Sequence, residues 1–301
     1  MDNIPRGITF VLLSIVFFVS LDSTAKFMTG SLDPMQVVWG RYIFSVLLLP
    51  FLMGPRRLRL AVRSKRPWLQ LLRGALLAAT TATFFTAIKY IPLADAIAIG
   101  FVSPLLATAL AIPILGEKVG VRRWSAIAIG FVGIMIVLRP GFEERHWAYF
   151  LPLIVATLMA TYNVCTRLVV RHDTADTSLA YTNVFGAVVS TIAIVSLPGV
   201  WTAPDAIQWG LLVAIGAFGS IGHFCLILAY RSAPVSTLAP FTFGHIVLAV
   251  IAGWLIFNDW PDAWTLVGAA VVAGSGIYVF RREAILARQA RASLSSAPPR
   301  T

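Results

Sequence analysis

Apolar runs of about twenty residues alternate with short polar turns along nearly the whole chain. A helix rises 1.5 Å per residue, so each run is long enough to cross a hydrocarbon core of about 30 Å. The pattern predicts spanning helices over residues 7–28, 34–53, 68–89, 93–115, 121–139, 147–168, 178–197, 206–229, 235–257 and 262–280. The turn carrying Glu117, Lys118, Arg122 and Arg123 would be costly to draw into hydrocarbon, so it lies at a membrane face and makes residues 93–139 a helical hairpin. The first run lacks a small-residue cleavage site and continues into Asp22-Ser23-Thr24-Ala25-Lys26, which reads as a retained span.

Composition agrees with an all-α membrane protein. Hydrophobic residues make up 58%, charged residues 12%, and mean hydropathy is +0.82, against about 25% charged residues in soluble domains. No polar stretch is long enough for a soluble domain, so function sits in or beside the bilayer. A net charge of +11 would suit a nucleic-acid partner, but the cations follow the turns between spans and form no basic face. Cys165 and Cys225 both lie in apolar runs and read as small buried hydrophobes.

The cations fix an orientation. With the N-terminus inside, eighteen fall on the cytoplasmic side: Arg6; Arg56, Arg57, Arg59, Arg63, Lys65 and Arg66; Lys118, Arg122 and Arg123; Arg167, Arg171 and Arg231; and Arg281, Arg282, Arg288, Arg291 and Arg300. Only Lys26, Lys89, Arg139 and Arg145 fall outside, which places both termini in the cytoplasm. A weak repeat at an offset of about 140 residues aligns Asp22 with Asn163, Arg41 with Asn183, Phe84 with Phe224, Phe101 with Phe241 and Glu117 with Asp259. Five spans repeated once must reverse direction, so the sequence predicts two inverted five-helix units, 7–139 and 147–280. A basic polar tail, 281–301, is expected to lack regular structure beside anionic lipid.

Particular motifs carry a family resemblance. Pro104, Gly116-Glu117, Arg123-Trp124, Gly130 with Gly133, and Arg139-Pro140-Gly141 resemble the EamA-type repeat of the drug/metabolite transporter superfamily. The second unit departs from it, with Asn258-Asp259-Trp260-Pro261-Asp262 in place of Gly-Glu, followed by Gly268 and Ser275-Gly276. That variant is similar to a bacterial branch that includes transporters of S-adenosylmethionine and of riboflavin. The resemblance implies a ten-helix transporter in the cell (inner) membrane, with a cavity lined by spans 1, 3, 4, 6, 8 and 9. It leaves the substrate open among amino acids, vitamins and nucleotide-like cofactors.

Candidate site residues are the ionisable and aromatic groups within spans. Asp22 and Lys26, four apart on one helix, are expected to neutralise each other, with Asp22 either an anchor or a proton-coupling group. Arg41 either locks the fold or grips a substrate carboxylate or phosphate. His223 and His245 on adjacent spans form a candidate proton-sensitive pair, and Phe84, Phe101, Ser103, Tyr162, Asn163 and Phe241 complete the candidate cavity. Pro104 and Pro240 are expected to free carbonyls in mid-membrane helices and act as hinges. No nucleophile–base pair and no metal-ligand spacing occurs, so the sequence predicts a carrier of a small molecule, without cofactor or catalysis, that is either proton-coupled or facilitative.

Overall fold

The computed structural model describes residues 3–61, 63–115, 121–139, 146–169, 172–233, 238 and 241–295, and among these every regular element is helical. In chain order they are α1 (Ile4–Met28), α2 (Pro34–Ala61), α3 (Pro67–Tyr90), α4 (Leu93–Gly100), α5 (Ser103–Leu115) and α6 (Val121–Leu138). A short 3-10 turn (Trp147–Phe150) leads into α7 (Leu151–Val169), followed by α8 (Ala175–Ser196), α9 (Ala206–Ser232), α10 (Gly244–Phe257) and α11 (Ala263–Ser295). Among the described residues seven helical stretches are long and apolar enough to cross a membrane, α4 and α5 together supplying one. Three shorter apolar stretches lie in α6, α10 and α11. Large side chains such as Leu12, Leu47, Val188 and Ile192 stand exposed along them, as suits a surface solvated by lipid. Many hydroxyls on the helices bond within their own helix, such as Ser20 to the Val16 carbonyl, Thr24 to Ser20 and Thr157 to Leu153. That removes their need for water.

The helices pair chiefly between the two halves of the chain. α1 lies along α9 and α3 along α7, while α2 packs on α8 and α6 on α11; α2 also meets α9, and α3 meets α8. Exchanging each helix with its counterpart in the other half maps α1–α9 onto α7–α3, and α2–α9 onto α8–α3. Two close approaches repeat this in detail. A Cβ on Gly74 of α3 would stand 2.8 Å from the Cβ of Phe185 on α8, and one on Gly216 of α9 only 2.4 Å from the Cβ of Phe44 on α2. α6 and α11 come closest at Gly133 and Gly268, where a Cβ on Gly133 would stand 2.9 Å from the Gly268 carbonyl oxygen and one on Gly268 2.6 Å from that of Gly133. Only glycines allow this backbone-to-backbone contact.

Two boundaries differ from the sequence pattern, and a third agrees with it but is followed by a further helical segment. The second span stops at Gly54, whose φ of 73° and ψ of 159° suit glycine, and the helix then resumes through Arg57 to Ala61. The predicted fourth span is two helices, broken at Phe101–Val102. The last helix does not end at 280 but continues to Ser295. Residues 281–295 are rich in Ala, Arg and Leu and contain neither Gly nor Pro, so helix propensity carries the helix beyond its apolar stretch into the segment expected to be irregular.

Candidate functional site

α4 ends at Gly100, Phe101 and Val102 form the turn, and α5 begins at the buried Ser103. Pro104 therefore sits in the first turn of α5, where the N–H it lacks would have had no intrahelical acceptor. This corrects the expectation that Pro104 opens the middle of a helix. Within α5 the proline that lies inside the helix is Pro113. In the second half Phe243 immediately precedes α10, and its ring meets that of Phe101 at 5.3 Å between centroids. Phe243 is thus the spatial counterpart of Phe101, rather than Phe241, which is 37% exposed. Pro240 lies outside the described residues.

Beside these two rings a carboxylate and an imidazole meet across the halves. Asp22 of α1 is buried, and its Oδ2 lies 3.2 Å from Nε2 of His245 in the first turn of α10. The His245 ring also stands edge-on to Phe101 at 5.9 Å. The expected Asp22–Lys26 pair does not form. Lys26 ends α1 at the membrane face, where its Nζ reaches Oδ2 of Asp259 at 3.0 Å and the Ile91 carbonyl at 2.9 Å, whereas Asp22 lies one turn deeper, opposite α10. Nor do the two histidines pair: His223 of α9 packs edge-on against Phe18 at 5.0 Å. Both histidines therefore approach α1, at positions one turn apart.

Two arginines lie within spans, and they are held very differently. Arg73 of α3 is 3% exposed and saturates its fork across the halves. Its Nε donates to Thr166 Oγ1 at 2.9 Å, Nη2 to the Tyr162 hydroxyl at 2.9 Å and Nη1 to Gln70 Oε1 at 2.8 Å. Gln70 in turn donates to Asp173 Oδ2 at 2.9 Å, which relays the cation to a carboxylate beyond the helix end. Arg41 of α2 is only half-buried; it donates to Thr81 Oγ1 and lies 5.2 Å from the Tyr42 ring and 6.0 Å from that of Phe85. Thr81 gives its own proton to the Leu77 carbonyl, so it accepts from both Arg41 and the Tyr42 hydroxyl. Among the described residues no carboxylate forms an ion pair with Arg41. Its Nε lies 3.9 Å from where a Cβ on Gly219 of α9 would stand, and Leu21, the neighbour of Asp22, lies 3.1 Å from the same point. Arg41 and the neighbour of Asp22 thus border the same glycine. Phe84, beside Phe85, and Asn163 on α7 are half-buried, and Tyr162 is engaged by Arg73. An apolar cleft of about 550 Å³ between α1, α9 and α10, walled by Val19, Phe218 and Ile251 among others, contains none of the predicted site residues.

With this geometry in hand, the comparisons decide the family. The EamA-like transporter family matches residues 5–139 and 146–281, nearly the whole chain, in two copies. The chain belongs to the EamA-like transporter family. It is 29% identical to an S-adenosylmethionine uptake transporter of Rickettsia bellii, over 92% of this chain and 94% of that protein. It is 30% identical to a riboflavin transporter of Brucella anthropi, over 87% and 93%, and 26% identical to a pseudopaline exporter of Pseudomonas aeruginosa, over 93% and 98%. One crystal structure superposes with a TM-score of 0.62, over 93% of this chain and 99% of that one, at 19% identity, which speaks to fold alone. The family and its long apolar helices make this a multi-pass membrane protein, and these relatives bear the names of transporters, not of enzymes.

Seen as two EamA repeats, the structure also assigns places to residues that sequence reasoning passed over. Asp95, in the first turn of α4, is 4% exposed and accepts from the Tyr149 hydroxyl at 2.7 Å, tying the fourth helix of the first repeat to the entry of the second. An acid inside the run LADAIAIG was a visible signal, since an ionisable group in a span signals a role. Arg73 gave the same signal. Gln70 gave none, because its importance depends on neighbours from distant parts of the chain.

Proposed function

We propose that the protein is an alternating-access carrier of a small organic metabolite, located in the cell (inner) membrane with both termini cytoplasmic and its two repeats inverted. The observation that carries this reading is the Asp22–His245 contact beside Phe101 and Phe243, where the broken helix of the first repeat meets the start of α10 in the second. Discontinuous helices with ionisable groups between repeats are how carriers commonly build a midplane site. The names of the relatives support a substrate among vitamins and nucleotide-like cofactors. Motion of one repeat against the other would separate Asp22 from His245, and the protonation of that pair would bias which arrangement is stable. Phe101 flanks the pair and packs on Phe243, and Arg41 borders Gly219 together with Leu21, the neighbour of Asp22.

The orientation is tested with reporter fusions. Fusions after Lys65 and Arg282 are expected to report cytoplasm and a fusion after Asp259 the exterior; a cytoplasmic signal after Asp259 would remove the inversion. Function is tested in proteoliposomes with S-adenosylmethionine, riboflavin and a panel of amino acids. Saturable uptake of at least one solute is expected, stimulated by an acid-outside pH gradient. Asp22→Asn should keep the fold, because the amide can still hydrogen-bond His245, and should lose the stimulation. The competing reading is a facilitative carrier or exporter in which Asp22–His245 is a passive tie. Gradient-independent uptake by the unmodified protein would decide for that reading, and uptake of none of the solutes would remove the carrier reading itself.

A further inference from the structure

A guanidinium inside a span is costly unless something answers its charge. The acids within the spans are Asp22 and Asp95, and they bond to His245 and Tyr149. Arg73 shows what a structural arginine looks like in this fold, with 3% exposure and three acceptors closing its fork. Arg41 differs on each count: it is half-buried, and among the described residues Thr81 is its one hydrogen-bond acceptor. The rings of Tyr42 and Phe85 steady the cation through their faces but leave its charge in place. A guanidinium has five N–H donors in a planar fork suited to binding an oxyanion through two hydrogen bonds. Gly219, without a side chain, lets α9 pass close to that fork, with Arg41 Nε 3.9 Å from where a Cβ there would stand.

Resting on the carrier reading above, we propose that Arg41 is the anchor for a carboxylate or phosphate of the transported molecule, so that the substrate class is organic anions and zwitterions. Tyr42 and Phe85, each 1% exposed, hold the guanidinium in position from the core side and leave its remaining donors for such a molecule. Asp22, next to the Leu21 that shares the Gly219 contact with Arg41, would stand near any amino or sulfonium group it carries. A zwitterion would then span α2 and α1, and its charges would complete a site that the protein leaves one anion short.

The test uses two probes of the same size and shape, benzoate and benzamide, which differ in charge. Thermal unfolding of the purified protein is followed in neutral detergent without lipid, so that no lipid headgroup supplies the anion. A ligand of the folded state raises the midpoint. Benzoate is expected to act at a concentration about tenfold lower than benzamide, a preference of about 1.4 kcal/mol. Arg41→Gln should erase that preference, while Arg41→Lys, which keeps the charge but loses the fork, should reduce it to roughly threefold. Non-specific attraction of benzoate to a chain of net charge +11 is common to all three proteins. Equal action of the two probes on the unmodified protein overturns the proposal, as does survival of the full preference in Arg41→Gln. If Arg41→Gln does not yield monodisperse protein, an undiminished preference in Arg41→Lys overturns it instead. Failure of the carrier reading has a different signature: absent uptake in proteoliposomes with the benzoate preference intact.

Discussion

Gly133→Leu will leave little folded protein, while Gly130→Ala will cost far less. At Gly133 the nearest obstacle to a new Cβ is the Gly268 carbonyl oxygen at 2.9 Å, part of the backbone of α11, and Val271 and Val272 close off the remaining space. Backbone cannot rotate aside, so a leucine there must push α6 off α11, the extensive contact through which α6 meets the second repeat. Ordinary overpacking costs about 1–3 kcal/mol, and forcing two helices apart exceeds that, against a total stability of roughly 5–15 kcal/mol. At Gly130 the atom in the way is the methyl tip of Leu105, which can change rotamer. The readout is monodisperse yield by size exclusion, with thermal midpoints of the two alanine variants ranking Gly133→Ala as the more damaging. Abundant Gly133→Leu protein with altered solute preference would instead mean that α6 lines the transport path.

Removing Arg73 will lower the thermal midpoint, and the loss will be linked to acid sensitivity at the same end of the molecule. Arg73→Leu deletes three hydrogen bonds that join α3 to α7 and to Gln70. Interhelical hydrogen bonds in bilayers average about 0.6 kcal/mol, so the total is about 2 kcal/mol, or roughly 4–8 °C for a chain of this size. Asp173 closes the relay. Burial alone would push its carboxyl up, but hydrogen bonds from the Ser64 hydroxyl, the Lys65 N–H and the Gln70 amide outweigh that and hold it below the ordinary value. A carboxyl held low in the folded state stabilises at pH above its unfolded value, and that contribution is lost as pH falls through its depressed folded value. Stability should therefore decline below about pH 4, and Asp173→Asn should flatten part of the decline. Asp262, held low at the other end by Thr265 and Arg139 against its own burial, contributes the rest. An unchanged midpoint in Arg73→Leu would mean that the network is ornamental.

Much of the fold was legible because lipid imposes one strong rule, that an apolar run of sufficient length is a helix. That rule recovered α1, α3 and α9 within a few residues. It could not see the break at Phe101–Val102, since a helix interrupted at depth has the same hydropathy as a continuous one. It also drew attention to Pro104, whose place in a first turn makes it compatible with helix geometry. The site was legible residue by residue but not in its pairings. Asp22 and His245 were both singled out by the cost of their burial, yet local spacing favoured Lys26, four residues away on the same helix, over a histidine 223 residues away. Which acid meets which base is decided by tertiary packing, and a single sequence carries no direct record of it.

The cross-half packing also bears on how the protein is made. The partner of Asp22 is His245, the counterion of Lys26 is Asp259, and two of the three acceptors for Arg73 are on α7. When the first EamA repeat leaves the ribosome, ending at residue 139, none of these exists. At about 5–20 residues per second, the remaining residues take roughly 8–30 s to follow. For that interval the nascent half sits in the bilayer with an acid and two cations lacking those partners and with α1, α2 and α3 missing the helices they pack on most. Premature termination there yields a chain with an open, charged interface, the kind of surface that membrane quality control removes, and the second repeat is what completes the first.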